Sequence, residues 1–564
     1  MGIMLFLGNS YYAWQAIRMK NNNNGRDFTA QPYGLNTVGG FPFAFGIALS
    51  VYLAANPDEC VATGDGSAAM GDETLCENAK FELAWEVTVA SNFLTGLLNI
   101  LAGIAGEHIV RVAPTAAMIV PLAGIGFTWL ALNQIAPNFS TPAVGFLPMF
   151  LIFVTYYAKS RITLGSWRVP EALHVVFFGM VVGWIYGLNN GDAVSNAADA
   201  MQTPGLWIGG AAFTGFSEMG PYLGTIIPIA VAASFEDMMC LVSAQKAGDP
   251  FPIRETMIVD GIFTCIGAIL GSPFGTVIYI GHPVHKANGA KTGYSFINGV
   301  VYLILCLSGV FPIIVSLFNK CTTGPIIFIF GLMICEECTK HIPERHHCAI
   351  FFGLFFSICD WAGTATGSLG SEGGTDTGPN EYYGLAAMKK GFALCSMVWV
   401  CIVVYTVDRR WLEAGAWALV AAVFSLFQII HADSINFDNF VDGTNMGGTL
   451  GTDPTKPNWN SSPLQYMIGY LAIAAWCGVC HMLQKSSPDK YPQPIEPKEG
   501  EEDDVSGLVA KWYEPLEKTW EETGGDINRL QLAGEAAAEG TDAKVSAEAP
   551  EPAAEALQPA EAQA

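Results

Sequence analysis

The chain has 564 residues, 51% of them apolar and only 14% charged, with a mean hydropathy of +0.34 and a formal net charge of −24. A water-soluble domain is about one quarter charged, so this composition excludes an ordinary soluble globule, and an acidic balance without a basic stripe excludes a nucleic-acid binder. The totals average two unlike parts, because the apolar runs stop near residue 485 and residues 495–564 carry roughly 18 acidic against 5 basic side chains.

In chain order, apolar runs fall near 1–18, 38–55, 81–104, 112–135, 142–158, 170–189, 221–245, 255–271, 284–318 (broken), 323–340, 347–365, 385–407, 411–431 and 464–484. Most have the ~17–25 residues that cross about 30 Å of hydrocarbon as helix. So many uniformly apolar helices leave no polar face for water. An all-α polytopic protein of a plasma or organelle membrane is expected, with the lipid bilayer as its first partner. The Pro-, Glu- and Ala-rich tail, 485–564, cannot bury enough apolar surface to offset chain entropy, so it reads as disordered.

Lys and Arg concentrate in cytoplasmic loops. With alternate crossings and the first loop inside, Arg18, Lys20, Arg26, Arg111, Lys246, Arg254, Lys286, Lys291, Lys340, Arg345, Arg409 and Arg410 all fall inside. Lys80, Lys320, Lys389, Lys390 and Lys456 fall outside. The same scheme puts the sequons at Asn138 and Asn460 outside as candidate glycosylation sites, together with Cys60 and Cys76, a candidate disulfide. The acidic tail then lies in the cytoplasm.

Irregular backbone is tolerated at membrane depth only where it is buried in protein or lines a cavity. Two stretches, Phe28–Pro42 and Gly271–Tyr294, are apolar enough to sit there but too rich in Gly, Pro and polar residues to be plain helix. A matched pair of interrupted segments points to a transporter binding site. A packing-only re-entrant loop is the plainer alternative. Glu236 and Asp237 lie inside the apolar run 221–245, where a carboxylate is costly unless it faces a cavity, a partner or a proton; only one of two adjacent residues is expected to face a central site. His282, beside Pro283, offers a donor and an acceptor, and Asp260 is a weaker candidate. Cys335 and Cys338 have zinc-like spacing with His341, His346, His347 and Cys348 nearby, yet a helix end with last-turn cations is the simpler account. No phosphate loop, nucleophile elbow or hydrolase carboxylate pair is present, so no enzyme activity, metal or cofactor is expected.

The passages TAQPYGLNTVGGFPFAF, SFEDMMCLVSAQKAGDP and GSPFGTVIYIGHPVHKANGAKTGYSFINGV resemble the nucleobase–ascorbate (xanthine/uracil/vitamin C) permease family, in its less-characterised branch. The resemblance covers about residues 1–431. It implies two inverted seven-segment repeats with broken third and tenth segments, here 1–190 and 221–431. Between them lies a connecting loop, 191–220, and after them a loop with an extra helix, 432–484. It implies a symporter moving a purine or pyrimidine nucleobase with H+ or Na+, and a homodimer as the common assembly. Glu236 is carried over as the substrate glutamate and, with His282, as a proton-coupling candidate. Asn36, Thr37 and Gly39 are expected to form one half of the site, with Gly281, His282 and Asn288 the other and Asp237 beside Glu236. Two departures stand. His282 occupies the break where uracil permeases carry a second acid, which keeps a sulfate or bicarbonate transporter of the same fold open. The helix at Met1 resembles the second segment, so either the chain lacks a first segment or the register of the resemblance shifts. A non-transporting scaffold or sensor acting through its acidic tail is the remaining alternative.

Overall fold

The computed structural model describes residues 1–23, 25–35, 42–55, 70–158, 160, 163–164, 167–168, 171–189, 191–199, 210–366, 381–432 and 463–496. Long apolar runs fold as helix because a helix satisfies its own backbone hydrogen bonds. In chain order these are α1 (Gly2–Asn22), α2 (Leu49–Ala54, entered through a π-helical turn, Pro42–Ala48), α3 (Met70–Val112), α4 (Thr115–Ser140), α5 (Pro142–Tyr156), α6 (Glu171–Ile185), α7 (Gly191–Asp199), α8 (Ala211–Glu218), α9 (Leu223–Lys246) and α10 (Ile253–Ile269). They continue as α11 (His282–Ala287), α12 (Tyr294–Ser308), α13 (Phe311–Leu317), α14 (Lys320–His341), α15 (His347–Thr366), α16 (Glu381–Lys389), α17 (Phe392–Val407), α18 (Trp411–Leu426) and α19 (Pro463–Ser486). Among the described residues, five helices are long and apolar enough to cross a membrane: those spanning Cys76–Val112, Thr115–Ser140, Lys320–Lys340, Glu344–Ala365 and Pro463–Ser486. The chain is an all-α membrane protein, with no sheet core among the described residues.

Two details differ from the expected spans. The connecting stretch 191–220 holds α7 and α8 rather than loop alone; α8 packs on α3, where Gly215 lies against the Glu86 carbonyl and Thr214 Oγ1 donates to Glu86 at 2.8 Å. The run 385–407 is split between α16 and α17 at Gly391, whose φ of 66° suits glycine.

Short strands occur at the two interrupted segments. Strand β1 (Tyr33–Leu35) pairs antiparallel with β4 (Thr276–Ile278), in the register Tyr33↔Ile278, Gly34↔Val277 and Leu35↔Thr276. A separate ribbon joins β2 (Thr163–Leu164) to β3 (Trp167–Arg168). The segments picked out for their broken sequence thus satisfy each other's backbone groups.

Helices pack in two groups through small residues that let backbones approach. In the first, α3 meets α10 where Gly96 and Gly261 each lie against the other's carbonyl, and α1 meets α12 at Gly299. In the second, α4 meets α14 at Gly126 and Gly331, and α15 at Gly124 and Ser357. Helix α9 touches both groups, packing on α3 on one side and α4 on the other. Basic side chains gather on one face. There Asp27 binds Lys20 at 2.5 Å and Lys291 at 2.6 Å, and Arg18 binds Glu255 at 2.6 Å. Arg111, Lys246, Lys340, Arg345 and Arg410 line a cavity of about 330 Å³ on this face. The Ile495 N–H donates to the Asp408 carbonyl at 2.9 Å, which brings the start of the acidic tail there too.

Strand β1 is seated on α1 by one absent side chain. A Cβ at Gly8 would lie 2.0 Å from the Tyr33 ring, so only glycine lets that ring in. Gly8→Val is expected to cost about 3 kcal/mol through overpacking, read as a lowered Tm in detergent. Gly384→Ala, with nothing within 4 Å of its Cβ, serves as the unperturbed control. Equal melting of both variants would mean that β1 is not seated on α1.

Candidate functional site

Consecutive residues on a helix point roughly 100° apart, and α9 uses this to send two carboxylates in different directions. Glu236 is 9% exposed and, with Cys240, lines a cavity of about 20 Å³. Its other walls are Leu122 and Ile125 of α4 and residues Val277 to Ile280 of the β4 segment. The Glu236 cavity therefore lies between the two helix groups. Asp237 turns into the first group, onto a second cavity of about 20 Å³ lined by Phe43, Thr95, Asn99, Ser234, Thr264, Phe274 and residues 275–277.

A connected polar network surrounds Asp237. The Asn99 amide donates to Asp237 Oδ2 and to Asp260 Oδ2, each at 2.6 Å. The Ile278 N–H of β4 donates to Asp237 Oδ1 at 3.2 Å. The Tyr33 hydroxyl donates to Thr276 Oγ1 at 2.6 Å, and Thr264 Oγ1 lies 3.1 Å from the same atom. Strand β4 is thus tied by side chains to α9 and α10, and the Asn9 amide of α1 donates to the Tyr33 carbonyl of β1 at 3.1 Å.

His282 is committed elsewhere. It is 1% exposed and its Nε2 lies 3.0 Å from Asp249 Oδ2, while Lys286 Nζ reaches Asp249 Oδ1 at 2.6 Å. The Thr29 N–H donates to Asp249 Oδ2 at 3.1 Å. Asp249 thereby fastens the segment before β1 to the short helix after β4. His282 lines neither the Glu236 nor the Asp237 cavity. Gly281, with φ of 115°, makes the turn into α11. Asn288 is exposed at the far end of α11, away from both cavities. Asn36, Thr37 and Gly39 lie outside the described residues.

Asn138 needs a correction as a glycosylation candidate. It is 0% exposed, and its amide donates to the Gly145 carbonyl at 2.9 Å, so no glycan fits without opening the α4–α5 turn. Asn460 lies outside the described residues. Cys76 is disulfide-bonded, and Cys60 lies outside the described residues. The zinc-like set is dispersed: the Cys335 thiol donates to the Ala123 carbonyl at 3.4 Å, and His346 Nε2 sits 2.8 Å from Asp408 Oδ1.

Sequence reasoning passed over Asn99 and Asp249 as site residues and ranked Asp260 low. The signal was present for Asn99, since Asn92, Thr95 and Asn99 make a polar stripe at helical spacing within an apolar run. Comparison of the sequence with protein-family models returns no match, and comparison with curated proteins returns none either.

Asp249 lies in the loop between α9 and α10. Burial pushes its carboxyl up, but hydrogen bonds and charge from His282 and Lys286 outweigh burial and hold it below the usual Asp value. A depressed carboxyl stabilises the fold above the unfolded pKa of about 3.9, and that contribution is lost as pH falls through the lower folded value. Asp249→Asn is expected to cost about 3 kcal/mol near neutral pH, because it strands a buried partner, and to flatten the acid limb of the Tm profile. An unchanged acid limb would remove Asp249 as the fastening point.

Proposed function

We propose that this chain is a secondary active transporter of a small polar solute, with purine and pyrimidine nucleobases the first candidates. It works by ion-coupled alternating access of the first helix group against the second. The observation that carries this reading is the position of the β1–β4 pair. Broken backbone at membrane depth is costly unless it lines a cavity, and here it walls a cavity shared by both helix groups with one carboxylate, Glu236, in the wall. The cavity holds about 20 Å³, room for roughly one water, so a solute enters it only as the two groups move apart. A carboxylate accepts hydrogen bonds from ring N–H groups, while it repels an inorganic anion. This favours a nucleobase over sulfate or bicarbonate. Relative movement of the two groups would alternately open that cavity to the two sides.

Uptake into proteoliposomes of labelled uracil, xanthine, adenine, bicarbonate and sulfate tests this directly. Saturable uptake of a base is expected, and Glu236→Gln should raise its KM about tenfold or more, as expected for a lost ground-state contact. Wild-type kinetics in Glu236→Gln would remove Glu236 from the solute site, and uptake of only an inorganic anion would replace the substrate class. Removing residues 497–564 should leave uptake unchanged. Loss of uptake on that truncation would favour a scaffold or sensor acting through the tail.

A further inference from the structure

Two carboxylates buried side by side cannot both stay ionised without a cation, because each is desolvated and repels the other. Asp237 on α9 is 2% exposed and Asp260 on α10 is 0% exposed. Among the described residues neither forms an ion pair. One amide nitrogen, Asn99 Nδ2, bridges the two carboxyls at 2.6 Å from each Oδ2. Held on one donor with no cation beside them, two buried carboxyls are relieved by a proton on one of them.

A second observation concerns Asn99. Its amide nitrogen serves both carboxyls, yet its Oδ1, on a side chain only 5% exposed, makes no hydrogen bond to the described residues. Asn99 and Asp237 line the same cavity, whose remaining polar groups are the hydroxyls of Thr95, Ser234, Thr264 and Thr276. A buried acceptor without a donor, on a hydroxyl-lined cavity beside the pair, suits the approach of a proton-bearing species. The titratable groups facing the pair are Tyr12 from α1, Tyr33 from β1, Cys265 from α10 and Cys240 from α9, with Glu236 one residue along α9 but turned to the other cavity. None of these brings a positive charge, and α3 contributes Asn99, which does not titrate.

We propose that Asp237 and Asp260 share one exchangeable proton and that this proton is the ion coupled to transport. The proposal rests on the carrier reading above and places the proton away from Glu236 and His282. Loading forms one O–H bond on a carboxyl oxygen, with the proton delivered through the Asn99 cavity; release breaks that bond, passing the proton to water that reaches the pair as the helix groups move, and that water solvates the two carboxylates left behind. The link to the solute runs through β4. Asp237 Oδ1 accepts the Ile278 N–H, and Val277 lines both the Asp237 and the Glu236 cavities. A change of charge on Asp237 thereby acts on the wall of the solute cavity, and solute binding acts back on the proton by the same factor.

The test uses the full chain. In proteoliposomes, Asp260→Asn should lower solute accumulation driven by an inward proton gradient about tenfold or more. Exchange of solute at equal concentration on both sides should continue, and Asp260→Glu should restore accumulation. In purified protein, the infrared carboxylic-acid carbonyl band at neutral pH should shift or vanish in Asp237→Asn and in Asp260→Asn, and persist in Glu236→Gln. The proposal is overturned by a band unchanged in both Asn variants, by its loss in Glu236→Gln, by unaltered accumulation in Asp260→Asn, or by accumulation that follows Na+ and not pH. If the wild type carries no solute of the panel, the carrier reading fails while the infrared band still locates the proton.

Discussion

Everything else in this molecule depends on the hydrogen bonding of broken backbone inside a helical membrane protein. A peptide group left unpaired in hydrocarbon costs several kcal/mol, so two interrupted segments cannot lie there independently. Here they pair as β1 and β4, and the surrounding side chains complete what a two-stranded ribbon leaves open. Asp237 takes the Ile278 N–H, Tyr33 and Thr264 meet at Thr276, and the Tyr279 N–H reaches the Pro32 carbonyl at 2.7 Å. On the basic face, Asp249 joins Thr29 to His282 and Lys286, which closes the same unit from its end. The carboxylates that look like extravagances in an apolar sequence are therefore partly structural.

That unit gives α9 its special position. The helix carries the polar network of the first group on one side and packs on α4 of the second group on another. Its adjacent acids separate two tasks: Glu236 faces the cavity between the groups, and Asp237 faces the first group's interior. The division follows from helix geometry alone. A solute contact and a charge reservoir can then be one residue apart in sequence and share a strand as common wall.

Much of this was legible in the sequence. Run length and apolarity located nearly every helix, because a bilayer leaves no other way to satisfy the backbone. The composition of Phe28–Pro42 and Gly271–Tyr294 marked the breaks, since Gly, Pro and Asn are the residues such backbone needs. The pairing of the two breaks was not legible, because strands of three residues have no periodicity to read. Nor was the choice between Glu236 and Asp237 as the acid that faces the groups' shared cavity, which depends on the rotation of α9. The partner of His282 was not legible for a related reason: a histidine beside a break is equally suited to a ligand or to a structural carboxylate, and Asp249, outside the run, takes its Nε2 here. Asn138 misled because a sequon carries no information on burial, and its amide is spent on the turn at Gly145.

The central claim is that solute occupies the cavity between the helix groups beside Glu236. Cys240 reports on it without any substitution, being a free thiol in that cavity's wall, 5% exposed. The most direct measurement is the rate of Cys240 alkylation by a small thiol reagent, followed by mass spectrometry with and without a saturating transported solute, with exposed Cys348 as the internal reference. The account predicts that solute slows modification of Cys240, leaves Cys348 unchanged, and protects poorly in Glu236→Gln. A transported solute that leaves the Cys240 rate untouched would contradict it.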